Sequence, residues 1–470
     1  MKTLHRLFLR GLLCSILLGI AQFSLIAQQK PYKANLSDAE KIYGLSLFWQ
    51  EVNYNFAFFH QIPHLNWDST YKAFIPKVLA TYSTEDYYRV LAKMGALLKD
   101  GHTSIRFPRE VYQTYSNLKI RLKAIQKRAF VTNVDQLLSK QIPIGSELLK
   151  VNGQPLKKYL KAQILPYIFA STEHDLWNKG ISRMFFGKRG DKFQLTFGTP
   201  QGKISQITLR RDRKGVKWVK QIQKKPLISF KWLSQKMAYL KLDNFMNNQI
   251  KADFLKVLPE LYKAKGIVID VRDNPGGNGK NAVFIVKHFT EQKKLKGAKT
   301  HSRIHSSSLK AWGSWFEYSL DQNPQMKLNP EQRENFKYYQ GKAWKTDLNV
   351  NKNDLKVKKI SVPLVVLTNH YTGSAAEDFL IYLSNLKRAT RVGQLTNGST
   401  GQPLLVWLPG GGNAVICAKR DTYPNGKDFV GVGVKPHIEV NPSVEDFVKN
   451  NDVILKKGVE VLKEKIKNSK

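Results

Sequence analysis

The sequence has very little cysteine and comparatively few acidic residues. Cys14 and Cys417 are its only two cysteines, and they cannot form a disulfide scaffold or a four-cysteine zinc site. Hydrophobic residues make up 42% and charged residues 24% of the 470 positions, which excludes disordered, collagen-like and multi-span membrane classes. At roughly 150 residues per domain, this length predicts about three domains.

The first 27 residues have the pattern of a secretory signal peptide. Three cationic residues precede a short apolar stretch at 12–20, and Ala21 and Ala27 are both candidate cleavage points. The apolar stretch is too short for a membrane span. We therefore expect an exported protein, periplasmic or extracellular, with no transmembrane segment after cleavage and no intramolecular disulfide.

The shortage of acidic residues makes the chain strongly basic. Lysine and arginine number 76 against 36 aspartates and glutamates, and removal of Lys2, Arg6 and Arg10 with the signal peptide lowers the formal charge from +40 to +37. The positive residues are scattered, without zinc-finger spacing, an aromatic RNA-recognition signature or a basic helix followed by heptads. We expect no specific nucleic-acid site, whereas acidic or envelope-associated polypeptides remain candidate partners. The oligomeric state is left open.

The hydrophobic pattern divides the chain into regions of different type. Ser37 and Glu40 have capping-box spacing before a helical pattern, a later region has short alternating strands with an Asn-Gly turn at 152–153, and the remainder alternates strands and helices. This order predicts an α/β (α+β multidomain) protein. The predicted boundaries are 28–108 for a helical domain, 109–225 for a small β domain, 226–442 for an α/β core with an insertion at about 295–360, and 443–470 for a basic amphipathic helix.

One strand end carries a glycine turn. The apolar sequence of residues 266–271 predicts a buried strand. The NPGG sequence at 274–277 follows it, and its glycines have no side chains that would obstruct the backbone N–H groups. Bare N–H donors are what an oxyanion hole needs. A glycine turn that serves only the backbone geometry is the alternative.

A second strand end carries a hydroxyl. The apolar sequence of residues 363–368 predicts a buried strand, and a helix is predicted to begin near Ser374 in the sequence GSAAE at 373–377. A hydroxyl at a helix start sits in the positive end of the helix dipole, which favours a nucleophile. Ser374 and Glu377 also have the spacing of a structural capping box, so both interpretations stand.

These motifs occur in a characteristic order. The sequence DGHT at 100–103 comes first, followed by a PDZ-like stretch, the turn at 274–277, the motif at 373–377 and GVGVKP at 431–436. Together they resemble the tail-specific (C-terminal processing) serine peptidase family, on the branch that includes the tricorn protease core and interphotoreceptor retinoid-binding protein. The resemblance implies an α/β crotonase-like catalytic core, a PDZ-like domain that binds a polypeptide substrate, and no metal or organic cofactor.

The resemblance also implies roles for particular residues. Ser374 would be the nucleophile and His102 its base, because Ser399 occupies the position where another branch of the family has a lysine. The oxyanion hole would combine the backbone N–H of Ala375 with that of Gly276 or Gly277, which the sequence does not distinguish. Two departures, Gly101 in place of a serine and the sequence KPH at 435–437 in place of an acidic ending, leave the group that orients His102 open.

The same sequence allows other interpretations. His370, four residues before Ser374, is an alternative base. His60/His64 and His301/His305 have helical ligand spacing, but neither pair has a glutamate in an HExxH arrangement, so no metal site is expected. A peptide- or lipophile-binding protein on the same fold is the alternative to a secreted serine endopeptidase.

Overall fold

The computed structural model describes residues 31–212, 215–221, 225–234 and 236–469. The predicted signal peptide lies outside the described residues. In the described part of the chain, no helix combines the length and the apolar character of a bilayer-spanning segment.

Helices dominate the first region. Ser37 and Glu40 form the predicted capping box, in which the Glu40 N–H donates to Ser37 Oγ and the Ser37 N–H to Glu40 Oε2. The apolar faces of these helices join the same hydrophobic core as the α/β region. The elements are α1 (Asp38–Asn55), α2 (Trp67–Leu79), α3 (Thr84–Ala96), β1 (Ser104–Arg106) and α4 (Arg109–Gln113).

The next region is an antiparallel sheet with a hydrophobic core of its own. The elements are β2 (Tyr115–Ser116), β3 (Ile120–Ile125), β4 (Arg128–Val134), β5 (Glu147–Val151), β6 (Gln154–Pro155), α5 (Leu156–Tyr159), α6 (Glu173–Arg183), β7 (Gly187–Lys188), β8 (Lys192–Gly198) and β9 (Ile204–Arg210). The strand order is β3-β4-β5-β8-β9, so β3 is an edge strand, and α6 packs beside it.

A six-stranded sheet forms the centre of the α/β region. The elements are β10 (Ile228–Trp232), β11 (Met237–Leu242), α7 (Gln249–Leu261), β12 (Gly266–Asp270), α8 (Gly279–Val286), β15 (Leu364–Thr368), α11 (Ala375–Asn385), β16 (Ala389–Gly393) and β20 (Ile438–Glu439). The strand order is β10-β11-β12-β15-β16-β20, and all neighbours except β10 and β11 are parallel. Because β12 and β15 are parallel neighbours, the two chemically interesting strand ends meet at one edge.

The segment between 294 and 352 forms two long strands joined by a helical hairpin: β13 (Lys294–Arg303), α9 (Ser307–Gln322), α10 (Pro330–Tyr339) and β14 (Trp344–Lys352). Three further strands are β17 (Pro403–Trp407), β18 (Asn413–Cys417) and β19 (Lys419–Thr422). The predicted amphipathic helix at the end of the chain is two helices, α12 (Val444–Val448) and α13 (Val453–Asn468); α13 packs on the central sheet. The α/β multidomain class predicted from the sequence is confirmed.

Pairing of β1 with β18 positions the DGHT motif. Ser104 is the antiparallel partner of Val415, so the first region adds an edge strand to the β17–β18 hairpin. His102, two residues before Ser104, is thereby held against the α/β region, although about 270 residues separate it from Ser374 in the chain.

Candidate active site

The two strand ends are joined by hydrogen bonds. Thr372 Oγ1 donates to the carbonyl of Val271 at 2.9 Å, and the Gly373 N–H donates to the carbonyl of Asn274 at 3.0 Å. The loop after β15 therefore lies directly on the glycine turn after β12.

Ser374 lies at the start of α11 with an unusual backbone. Its φ of +53° and ψ of −126° fall outside the regions that residues with side chains favour. Neighbouring groups hold this conformation, because the Ser374 N–H donates to the Ser399 carbonyl and to Glu377 Oε2. Backbone strain of this kind costs of order 1–3 kcal/mol and persists where the surroundings enforce it.

The His102 ring lies between two hydroxyls. Its Nε2 is 3.3 Å from Ser374 Oγ, and its Nδ1 is 2.7 Å from Ser399 Oγ. A Cβ at Gly101 would approach Ser399 Oγ to 2.6 Å, so the glycine leaves room for this contact. The structure thus brings the His102 ring next to Ser374 Oγ.

Burial lowers the pKa of His102, and the positive charges of Lys179 and Lys419 act in the same direction, while Asp100 opposes them. The imidazole is therefore neutral at neutral pH, the state in which one ring nitrogen can accept a proton.

Ser399 is the functional candidate that sequence reasoning missed. It lies between β16 and β17, and its own N–H donates to Glu377 Oε2 at 3.0 Å. The sequence drew attention to this position only because it lacks a lysine. The nearby glycines Gly398 and Gly401 were the only feature of the sequence that could have indicated an unusual loop conformation at Ser399.

The two glycines of the NPGG turn differ in hydrogen bonding. The Gly276 N–H donates to Asn274 Oδ1 at 2.9 Å, whereas the described residues provide no acceptor for the N–H of Gly277 or of Ala375. Gly276 packs tightly under the serine, since a Cβ there would lie 2.6 Å from the Ser374 Cβ. The positive φ of Gly276, +94°, also favours glycine.

Glu377 is fully buried and ties the surrounding loops together. Its carboxylate accepts hydrogen bonds from the N–H groups of Ser374, Gly398 and Ser399 and from the hydroxyl of Thr396. Burial raises its pKa to about 7 against the opposing effect of these donors.

His370 does not face the candidate nucleophile. Its Nδ1 is 2.9 Å from the carbonyl of Leu395, and its ring stacks on His174 of α6 with centroids 4.3 Å apart. Burial and the neighbouring His174 lower the pKa of His370 to about 4. No hydrogen bond joins it to Ser374 within the described residues.

The histidines with helical ligand spacing also have partners elsewhere. His60 Nε2 lies 3.5 Å from Asp428, His301 contacts the hydroxyls of Thr346 and Thr422, and His305 stacks on Tyr54. Across the described ranges, no three residues of the metal-binding types cluster together.

Two cavities open on either side of Ser374. The larger, with a volume of about 980 Å³, is bounded by β3, α6 and the two strand ends, and His102 and Ser399 line it. The smaller, of about 350 Å³, is lined by Gly277 and Ala375 as well as Ser374.

Residues 236–440 match the sequence model of Peptidase family S41. The chain is 25% identical over 382 residues to a carboxyl-terminal-processing protease of Picosynechococcus sp., covering 79% of this chain and 77% of that protein. It superposes on mature CPAF with a TM-score of 0.70 and 16% identity, covering 92% of this chain and 98% of that structure. Mature CPAF complexed with lactacystin gives a TM-score of 0.67 at the same identity and coverage. The structural similarities, at this identity, concern the fold.

Proposed function

We propose that the chain is a serine peptidase of the S41 type, an exported endopeptidase that cleaves extended or C-terminal polypeptide segments through an acyl-enzyme. In this proposal Ser374 is the nucleophile and His102 its general base. The observation that carries the proposal is the pair of short distances from the His102 ring, 3.3 Å to Ser374 Oγ and 2.7 Å to Ser399 Oγ.

The first half-reaction follows from this geometry. If Nδ1–H donates to Ser399 Oγ, Nε2 carries the lone pair and can accept the Ser374 proton as Oγ attacks the scissile carbonyl carbon. The imidazolium then returns that proton to the leaving amine as the C–N bond breaks, which leaves an ester on Ser374. In the second half-reaction His102 takes a proton from water, the resulting hydroxide attacks the ester, and Ser374 regains its proton.

We assign the oxyanion hole to the N–H groups of Ala375 and Gly277. Both are without an acceptor among the described residues and both line the same cavity as Ser374, whereas the Gly276 N–H already donates to Asn274. Ala375 is the first residue of α11, where a helix leaves its N–H groups unpaired and its dipole favours negative charge. The role of Gly276 is then to let the turn approach Ser374.

The large cavity supports binding of the polypeptide substrate. Strand β3 is the edge strand of the sheet that we propose to be PDZ-like, and it could accept an extended peptide as an additional strand, with α6 beside it. The cavity that it lines also reaches Ser374. Its charged lining consists of two carboxylates, Asp175 and Asp273, and five cations, which favours acidic segments: Arg121, Lys123, Lys179, Arg183 and Lys225.

Labelling with a fluorophosphonate probe tests the proposal. The wild-type protein should form a stable adduct at Ser374, and Ser374→Ala should not. A folded protein that no serine-directed reagent modifies, and that still binds peptides, would instead support the alternative of a binding protein.

A further inference from the structure

In the proposed mechanism, the small cavity lies on the acyl side of the scissile bond. His102 must reach the leaving nitrogen, so the part of the substrate after the scissile bond lies on the side of His102, in the large cavity. The carbonyl oxygen points to the N–H groups of Ala375 and Gly277, which line the small cavity. The side chain that precedes the scissile bond, P1, therefore enters the small cavity.

Most of the side chains that line this cavity are polar. Val283 and Ala375 are its only apolar lining side chains among the described residues, and its main polar side chains are Asn278, Lys280, Asn351, Asp378, Tyr382 and Lys419. An aliphatic P1 side chain would remove water from these groups without replacing their hydrogen bonds. A side chain that donates hydrogen bonds fits the lining better.

The two carboxyl groups at this cavity, Asp378 and Asp421, differ in their hydrogen bonds and ion pairs. Asp421, behind the cavity, accepts hydrogen bonds from Thr300 and Thr400 and forms an ion pair of 2.8 Å with Lys419. Asp378 has no hydrogen-bonded or ion-paired partner among the described residues. Burial and the nearby Asp421 raise the pKa of Asp378 to about 7 against the opposing effect of Lys419, whose ion pair is with Asp421.

We propose that the cavity beside Ser374 is a specificity pocket for a basic P1 side chain, lysine or arginine, with Asp378 as its partner. The proposal depends on the proposed role of Ser374. Two cations also line the cavity, but Lys419 already pairs with Asp421, and Lys280 is exposed, where solvent and salt screen its charge. Among the described lining side chains, Asp378 is therefore the carboxyl group without a hydrogen-bonded or ion-paired partner.

Peptides that differ only at P1 test the proposal. For lysine, glutamine, glutamate and leucine at P1, kcat/KM should be highest for lysine, by about tenfold over leucine. Asp378→Asn should bring the kcat/KM values for lysine and glutamine at P1 within about twofold of each other. Asp273→Asn is the matched control, because it makes the same chemical change in the large cavity and should leave the P1 preference intact.

A binding measurement separates this proposal from the catalytic one. Ser374→Ala should bind amidated peptides that end in lysine more tightly than those that end in leucine, without any turnover. If the wild-type protein cleaves nothing while this order of affinities holds, the catalytic proposal is wrong and the pocket stands. If Ser374-dependent cleavage or binding favours leucine or glutamate, or if Asp378→Asn keeps the lysine preference, the pocket proposal is wrong.

Discussion

Ser399 Oγ lies 2.7 Å from His102 Nδ1, and Ser374 Oγ lies 3.3 Å from Nε2 of the same ring. A hydroxyl, rather than a carboxylate, therefore occupies the position from which the orientation and tautomer of His102 can be controlled. A neutral partner stabilises an imidazolium less than a carboxylate does, so its contribution should be mainly positional.

Ser399→Ala should lower kcat by roughly tenfold to a hundredfold. This loss is smaller than the decrease in kcat of about 10⁴-fold that follows replacement of the triad aspartate by asparagine in a Ser-His-Asp protease. The reason is the loss of the acceptor for the Nδ1 proton. The kinetics should be compared with Ser399→Thr, which keeps the hydroxyl and should recover part of the activity. Equal loss in both variants, with both folded, would show that bulk rather than the hydroxyl matters.

His102→Ala should lower turnover by roughly 10²-fold to 10⁴-fold and leave the fold unchanged, because it removes the proposed general base. His370→Asn is the control: this ring faces His174 and not Ser374, so kcat at pH 7.5 should change by less than about threefold. The steady-state kinetics of both variants check this prediction. The reverse order of effects would identify His370 as the base.

The pH profile should reflect the buried state of His102. Activity requires the neutral ring, and burial lowers the pKa of His102 below its ordinary value of 6.5. Activity should therefore persist as pH falls through 6.5 and decline only at more acidic pH. The measurement is kcat/KM against pH for the free enzyme. A decline with a midpoint above 6.5 would contradict a desolvated imidazole.

Glu377→Gln should destabilise the protein by about 1–3 kcal/mol, because an amide NH₂ would then face a backbone donor where an oxygen now accepts. Activity should fall as well, since the same carboxylate holds both Ser374 and Ser399. Urea unfolding and kcat measure the two effects. Glu445→Gln, on the exposed surface, is the matched control and should change neither.

Stability should fall at acidic pH because of the stacked pair His174 and His370. Burial lowers the pKa of both rings, that of His370 to about 4, and the neighbouring His174 also lowers the pKa of His370. Asp175 and Glu173 oppose the effect of burial at His174, and Glu439 opposes it at His370. Between pH 6.5 and about 4 the unfolded chain binds a proton at His370 that the folded protein does not, so stability decreases as pH falls. The difference corresponds to about 3 kcal/mol at pH 4.

Urea midpoints at pH 7.5, 5.5 and 4.5 check this linkage. His370→Asn should flatten the decline because it removes one of the two groups that must remain neutral. If the urea midpoint of this variant decreases with pH as steeply as that of the wild-type protein, groups other than His370 cause the loss of stability in acid.

Local sequence patterns determined much of the architecture. The buried strands at 266–270 and 364–368, the helix after Ser374 and the capping box of Ser37 and Glu40 were predictable because short-range periodicity and hydrogen bonding decide them. The prediction of a single helix at the end of the chain was wrong in one respect, because the helix is interrupted between Val448 and Val453.

Only the tertiary structure decided how the site is completed. The contacts of Ser399 with His102, of Glu377 with the loop at 396–399 and of His370 with His174 join residues that are 19 to 297 positions apart in the chain. They depend on the pairing of β1 with β18 and on the parallel neighbours β12 and β15. The chain specified which side chains could do chemistry, because residue type sets pKa and nucleophilicity. Which of them meet depends on packing between distant segments, which no local pattern encodes.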